Sequence, residues 1–187
     1  MQQVGIRQSQ IQGNTMSDEQ DFGTIVSSSH LVSELSSELS EFEYGLTIAN
    51  NSFQRWMLHC SSSSGVEGLT PLDVLVVHHI NHRERPKKVS DICFILNQED
   101  THTIAYSVRK LVGQGMIKGS KQGKETFYRT TEQGQNFCRK YREVREACLV
   151  ESLTALSLSN EEIGEVAKAL RTLSGIYDQA SRAAASL

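Results

Sequence analysis

Residues 111–134, LVGQGMIKGSKQGKETFYRTTEQG, constrain the fold more than any other part of the chain. They read as a helix end, a short strand, a Gly-bracketed basic loop, a second strand and the start of a further helix. Gly113 and Gly115 end the first helix, since glycine tolerates the left-handed backbone that helix ends favour. Upstream, residues 100–111 have the apolar spacing of one amphipathic helix, with Ile104, Val108 and Leu111 on one face. The outward positions carry Thr101, His102, Thr103, Tyr106 and Lys110.

A short polar helix followed by a small cationic hairpin suits duplex DNA. Polar side chains on such a helix reach base edges in the major groove, and the hairpin's cations meet phosphates. Thr103 and Tyr106 are the best-placed base readers, with Thr101 and His102 beside them. Lys118, Lys121, Lys124 and Arg129 are the expected phosphate contacts of the hairpin. Arg109 and Lys110 on the helix, and Lys87 and Lys88 ahead of it, are expected in the same role, although Arg109 could equally pair with an acidic neighbour.

The charge distribution agrees. The chain's net charge is −3, but residues 82–148 hold 14 Lys and Arg against 8 Asp and Glu, a local +6. The remainder holds 5 against 14, or −9. Within residues 109–129, six cations stand against Glu125 alone. Such asymmetry implies one localised polyanion site.

Residues 1–28 are rich in Gln, Ser, Asn and Gly without apolar period and read as a disordered tail, with Met16 an alternative start. From Leu31, apolar residues recur through Leu35, Leu39, Phe42, Leu46, Ala49, Phe53 and Trp56 in steps of three and four, a long helix over residues 29–62 that SSSSG then breaks. Residues 66–134 form the compact module. Within it Thr70-Pro71-Leu72-Asp73 is a helix start: Thr70 caps, Pro71 suits the first position and Asp73 favours the positive helix end. Val89, Ile92, Ile95 and Leu96 give a short third helix. Residues 135–182 return to long helices, first with Phe137, Tyr141, Val144 and Cys148 on one face. Ser159-Asn160-Glu161-Glu162 then makes a capping box ahead of Ile163, Val166, Leu170, Leu173 and Tyr177. Helices with one apolar stripe at both ends of the chain predict burial against each other and against a second copy.

These readings add up to a mostly α chain with a small β-hairpin wing: a winged helix-turn-helix lobe plus a helical dimerisation body. Collinear motifs give this outline a family resemblance. Leu69-Thr70-Pro71, Val89-Ser90-Asp91-Ile92, Asp100-Thr101-His102-Thr103-Ile104, the run from Leu111 to Ile117, and Thr131-Glu132-Gln133-Gly134 together resemble the MarR family of bacterial regulators over roughly residues 31–180. The Ser-rich divergence is similar to a subgroup that controls a cell-wall transpeptidase gene. The wing departs from the family's pattern, being shorter and lacking its D-x-R. The resemblance implies a homodimeric transcriptional regulator that binds double-stranded DNA. A two-fold dimer places its reading helices about 34–36 Å apart, so the operator should be pseudo-palindromic. It also implies a small aromatic or phenolic effector, in a crevice lined by Phe53, Trp56 and Met57. From the sequence alone, core and dimer contacts are the favoured reading of those three.

Other classes find little support. No Gly-rich phosphate loop, metal set or nucleophile–base pair points to an enzyme, and no cofactor is called for. His78 and His82 have a helical i, i+4 spacing that suits a metal, but nothing nearby completes a ligand set. No run approaches the roughly 18 apolar residues of a membrane helix, and the first residues lack an export signal, so a cytoplasmic protein is expected. Four cysteines are scattered without a C-x-x-C pair. Cys93 and Cys148 sit at apolar-periodic positions, and Cys60, at a helix end, is expected to be the exposed thiol. The competing class is a winged-helix module that binds protein and no nucleic acid.

Overall fold

The computed structural model describes residues 29–33, 35–155 and 159–187; the tail expected over residues 1–28 lies outside them. The chain divides into two compact units, Met1–Asn51 and Ser52–Leu187.

In the first unit a 3-10 turn, Ser29–Leu31, precedes helix α1, which spans Glu38–Ser63 and so runs on into the second unit. The apolar steps predict a helix from Leu31, yet it begins seven residues later, at Glu38. Ser33 explains the delay. Its hydroxyl accepts the Leu35 N–H (3.2 Å) and its carbonyl accepts the Ser36 N–H (3.1 Å), which gives the backbone a turn in place of a helix. Leu31 and Leu35 are left exposed ahead of α1, and Leu39 and Leu46 are exposed within it.

The second unit continues with α2 (Pro71–Asn81), α3 (Val89–Ile95), α4 (Thr101–Gly113), strands β1 (Ile117–Gln122) and β2 (Glu125–Thr130), α5 (Glu132–Arg145), α6 (Glu151–Ala155) and α7 (Asn160–Ala184). The start of α2 is built as its sequence predicts. The Thr70 hydroxyl accepts the Asp73 N–H (3.2 Å), the Asp73 carboxylate accepts the Thr70 N–H (2.8 Å), and Pro71 leads the helix. Val74, Val77 and Ile80 of α2, Ile92 of α3, and Ile104, Val108 and Leu111 of α4 join Met116, Ile117 and Phe137 in one core. Met57 and Cys60, from the end of α1, complete it. Burying each large apolar side chain contributes roughly 1.5–3 kcal/mol.

The two strands pair antiparallel from Ile117 opposite Thr130 to Gln122 opposite Glu125. The stretch 119–123 that reads as a loop is therefore mostly strand, and the turn shrinks to Gly123 and Lys124. Lys87 and Tyr128 exchange backbone hydrogen bonds of 3.0 and 2.8 Å, which ties the segment ahead of α3 to the hairpin. At the base of the hairpin, Gly134 sits in the first turn of α5, where a Cβ would fall 2.1 Å from the Met116 carbonyl oxygen. Only a bare glycine lets the helix approach the strand so closely.

The long fifth helix read from the sequence is interrupted. A π-turn, Glu146–Val150, separates α5 from α6. Cys148 lies within that turn and is exposed, not buried with Phe137 and Tyr141 as its spacing implied. Cys60 departs from expectation in the opposite sense. It lies in the last turn of α1 as expected, but that turn packs into the core, so Cys60 is buried with its thiol directed at the Tyr141 carbonyl (3.5 Å). Helix α7 opens on the capping box read from the sequence: Ser159 Oγ accepts the Glu162 N–H (3.2 Å) and Glu162 accepts the Ser159 N–H (2.8 Å). None of its residues is buried, and Ile163, Val166 and Leu170 of its apolar stripe are exposed.

Candidate nucleic-acid interface

Helix α4 begins at Asp100, whose carboxylate accepts the His102 N–H (2.8 Å) and the Thr103 hydroxyl (2.5 Å). Those two hydrogen bonds, from Thr103 first and then His102, hold the Asp100 carboxyl below its ordinary value. Ile104, Ser107, Val108 and Leu111 face the core. With about 100° of rotation per residue, the row diametrically opposite holds His102, Tyr106 and Arg109. All three are exposed, Tyr106 at 66%. Thr101 and Thr103 are exposed on the first turn, but the Thr103 hydroxyl already serves the cap.

Lys110 lies elsewhere than expected. Its ammonium sits 2.6 Å from the Asp73 carboxylate, which also accepts the Ser107 hydroxyl at 2.6 Å. Asp73 is 1% exposed. Burial pushes its carboxyl up, but the hydrogen bonds from Lys110, Ser107 and Thr70 outweigh that, and the net shift is downward. Lys110 is thus tied to a buried carboxylate of the lobe and does not extend outward with the exposed row.

Lys87 is a second correction. It is 4% exposed, and its ammonium donates to the carbonyls of Ile80 (3.2 Å), His82 (2.6 Å) and Arg85 (3.2 Å), closing the end of α2. Burial and the neighbouring Arg85 lower its pKa. No donor of this lysine is left for DNA. Lys88 is exposed enough to act but pairs with Glu125 at 2.9 Å.

The remaining cations gather on the wing. Lys118 lies directly opposite Arg129 in the ladder, a like-charge pair that costs a hairpin stability unless an anion lies near. Lys121 stands near the end of β1, and Lys124 occupies the turn after Gly123, whose φ of +64 suits the first position of a tight hairpin turn. All four are exposed. The row on α4 and the wing cations are therefore the parts of the expected site that stand open to solvent, while Lys87 and Lys110 are drawn inward.

A separate cavity of about 530 Å³ opens beside α2 and α5, with Phe53, Trp56, Met57, His78, Tyr141 and Arg142 in its wall. His78 meets the Tyr141 ring edge-on at 4.5 Å, and its Nε2 is buried without a hydrogen-bond partner among the described residues. Burial lowers its pKa to about 4, so the ring is neutral at pH 7. Arg139 is paired with Glu143 (2.7 Å), whereas Arg142 has no ion-pair partner among the described residues. His78 and His82 do not join in a metal site: no group of three or more His, Cys, Asp or Glu comes together among the described residues.

Residues 69–134 match the family model described as a winged helix DNA-binding domain. No curated protein sequence matches the chain significantly. Among solved structures, a mutant MarR from E. coli complexed with operator DNA superposes with a TM-score of 0.60 at 15% identity, over 75% of this chain and 99% of that one. The fold is that of the MarR regulators. The repressor CouR bound to a 23-mer DNA duplex gives a TM-score of 0.60 at 19% identity, over 74% of this chain and 96% of its own. MarR from Staphylococcus aureus, in complex with salicylate and kanamycin, gives 0.61 at 11%, over 78% and 95%.

On this MarR-type fold, three features escaped the sequence reading: the Asp73–Ser107–Lys110 cluster, the half-buried His78 with its buried Nε2, and Arg142, which has no ion-pair partner among the described residues. Asp73 had a signal. It shares the inward face of α2 with Val77 and Ile80, and a carboxylate on an apolar face must find donors across the core.

Proposed function

We propose that the protein is a homodimeric, sequence-specific DNA-binding transcriptional regulator of the MarR family whose grip on DNA is set by a small organic ligand. The observation that carries this reading is the exposed row His102, Tyr106 and Arg109 on α4 beside a wing bearing Lys118, Lys121, Lys124 and Arg129. The row supplies donors, acceptors and an aromatic edge for the major groove, with Thr101 and Thr103 at the helix start. The wing supplies phosphate contacts. Dimerisation through the terminal helices is supported by α7, none of whose residues is buried among the described residues. The ligand reading rests on the cavity, whose volume lies in the range of small-molecule sites. Its aromatic wall and the unpaired Arg142 suit an aromatic body carrying an anionic or phenolic group. A ligand that prefers a dimer with the wrong lobe spacing would release DNA by differential affinity alone.

Selection of duplexes from a random pool by the purified protein tests the reading. Enrichment of a pseudo-palindrome with half-sites about 10–10.5 base pairs apart is expected, with dimers seen by sedimentation. Failure to enrich any sequence, with retention of a protein partner instead, would favour the protein-interaction module.

A further inference from the structure

The Asp73 carboxylate receives side chains from α4 at two points. Ser107 and Lys110 are three residues apart, one above the other on the same helix face, and each places a polar atom 2.6 Å from a different carboxylate oxygen. Two attachments to one buried group fix the rotation of a helix about its own axis, which a single contact does not. Apolar packing is a weaker constraint on rotation, because burial of Ile104, Val108 and Leu111 is non-directional. Rotation matters on the far side of α4. A turn of about 20° moves a side-chain tip about 5–6 Å from the axis by about 2 Å, enough to break a hydrogen bond to a base edge.

We propose that Asp73, Ser107 and Lys110 are positioning residues that set the rotational register of α4, and so determine which base edges His102, Tyr106 and Arg109 meet. The inference rests on α4 being the DNA-reading helix. Lys110 then acts through Asp73 on specificity and contributes nothing to the salt dependence of binding. The lock also accounts for a charge on the inward face of α2. An apolar residue there would pack, but it would give α4 no directional contact.

A double-substitution cycle tests this. Lys110→Gln, Asp73→Asn and the double variant are titrated with the duplex selected by the wild-type protein and with a scrambled duplex, over a series of salt concentrations. Lys110→Arg serves as the conservative variant. Lys110→Gln is expected to lower the selected-to-scrambled affinity ratio about tenfold, with the salt slope on scrambled DNA unchanged. Lys110→Arg should recover most of the ratio, and the double variant, an amide facing an amide, should lose less than the two single changes combined. Should Asp73→Asn fail to fold, Ser107→Ala removes one attachment without stranding a charge, and a two- to fivefold loss of ratio is expected.

A Lys110→Gln slope lower by about 0.9 at an unchanged ratio would make Lys110 a phosphate contact and overturn the proposal. Strictly additive losses, or a Ser107→Ala ratio equal to the wild type, would overturn it too. A wild-type protein that prefers no duplex removes the DNA reading and the positioning role together. A discriminating wild type with an additive cycle removes the positioning role alone.

Discussion

The lobe formed by α2, α3, α4 and the wing, and the helix α7, are written in the same language of apolar residues three and four apart, yet they end in opposite states. In the lobe, Val76, Val77, Ile80, Ile92, Ile104 and Leu111 are all at or below 1% exposure. In α7, 25 residues long, nothing is buried, and Val166 is 60% exposed. Periodicity reveals that a helix has a side to hide. It does not reveal whether the cover comes from its own chain. The lobe has three helices and a hairpin within short connections, so its stripes meet one another. The stripe of α7 stays unburied among the described residues, and the proposed dimer would cover it with a second copy of the same helix.

The sharpest break between the two regions should come from paired core and stripe substitutions. Ile104→Ala removes a fully buried side chain and is expected to cost about 2–5 kcal/mol in denaturant unfolding. Gly134→Ala, whose methyl would meet the Met116 carbonyl, should be as severe, because backbone has to move. Leu170→Lys should leave the unfolding of the lobe unchanged and instead shift sedimentation towards monomer. If Leu170→Lys remains a stable dimer, α7 is not the cover, and its contrast with the lobe has another origin.

The same contrast shows what could be read from the sequence. Helix starts were legible where a short side chain acts locally, as at Thr70 and Ser159, because capping depends on spacing along the chain. The wing was legible from its glycines and cations. The fates of the long cations were not. Lys87 and Lys110 stand in polar surroundings in the sequence, but a four-carbon stem lets each ammonium reach inward, one to carbonyls at the end of α2 and the other to Asp73. Their targets are set by packing of separate segments. The fates of Cys60 and Cys148 have a similar root: burial of one thiol against the Tyr141 carbonyl and exposure of the other in a π-turn depend on packing that spacing along the chain does not state.

A smaller effect separates core from cavity along α2. His78 has a pKa near 4 when folded, against about 6.5 for an ordinary histidine. Between those values the unfolded chain binds a proton that the folded chain refuses, so stability falls as pH drops from about 6.5 towards 4. His78→Phe, matching its aromatic neighbours Phe137 and Tyr141, should flatten that fall while leaving the urea midpoint at about pH 7.5 nearly unchanged. An equally steep acid loss in the variant would shift the cause to other groups, such as His79, whose pKa burial also lowers.

The smallest effect falls on the wing, where stability is not at stake. Lys121 and Lys124 are exposed and lie at the tip, so replacing both by Ala should leave unfolding unchanged within about 0.5 kcal/mol. The effect should appear only in binding. Each phosphate contact releases counterions, and its loss lowers the log–log salt slope by about 0.9 whatever the DNA sequence. The double variant should therefore weaken on selected and scrambled duplexes alike, with a slope reduced by up to about 1.8. Tyr106→Phe is the opposite case: it removes one hydroxyl from the α4 row, keeps the slope and lowers only the preference for the selected duplex. Lys118 and Arg129 supply an internal control, because they face each other in the ladder and replacing either relieves a repulsion. Lys118→Ala should thus lose affinity for DNA while gaining a few tenths of a kcal/mol in stability. If Lys121→Ala with Lys124→Ala keeps the wild-type slope, the tip does not touch the backbone, and the cations that matter are Lys118 and Arg129 further down the hairpin.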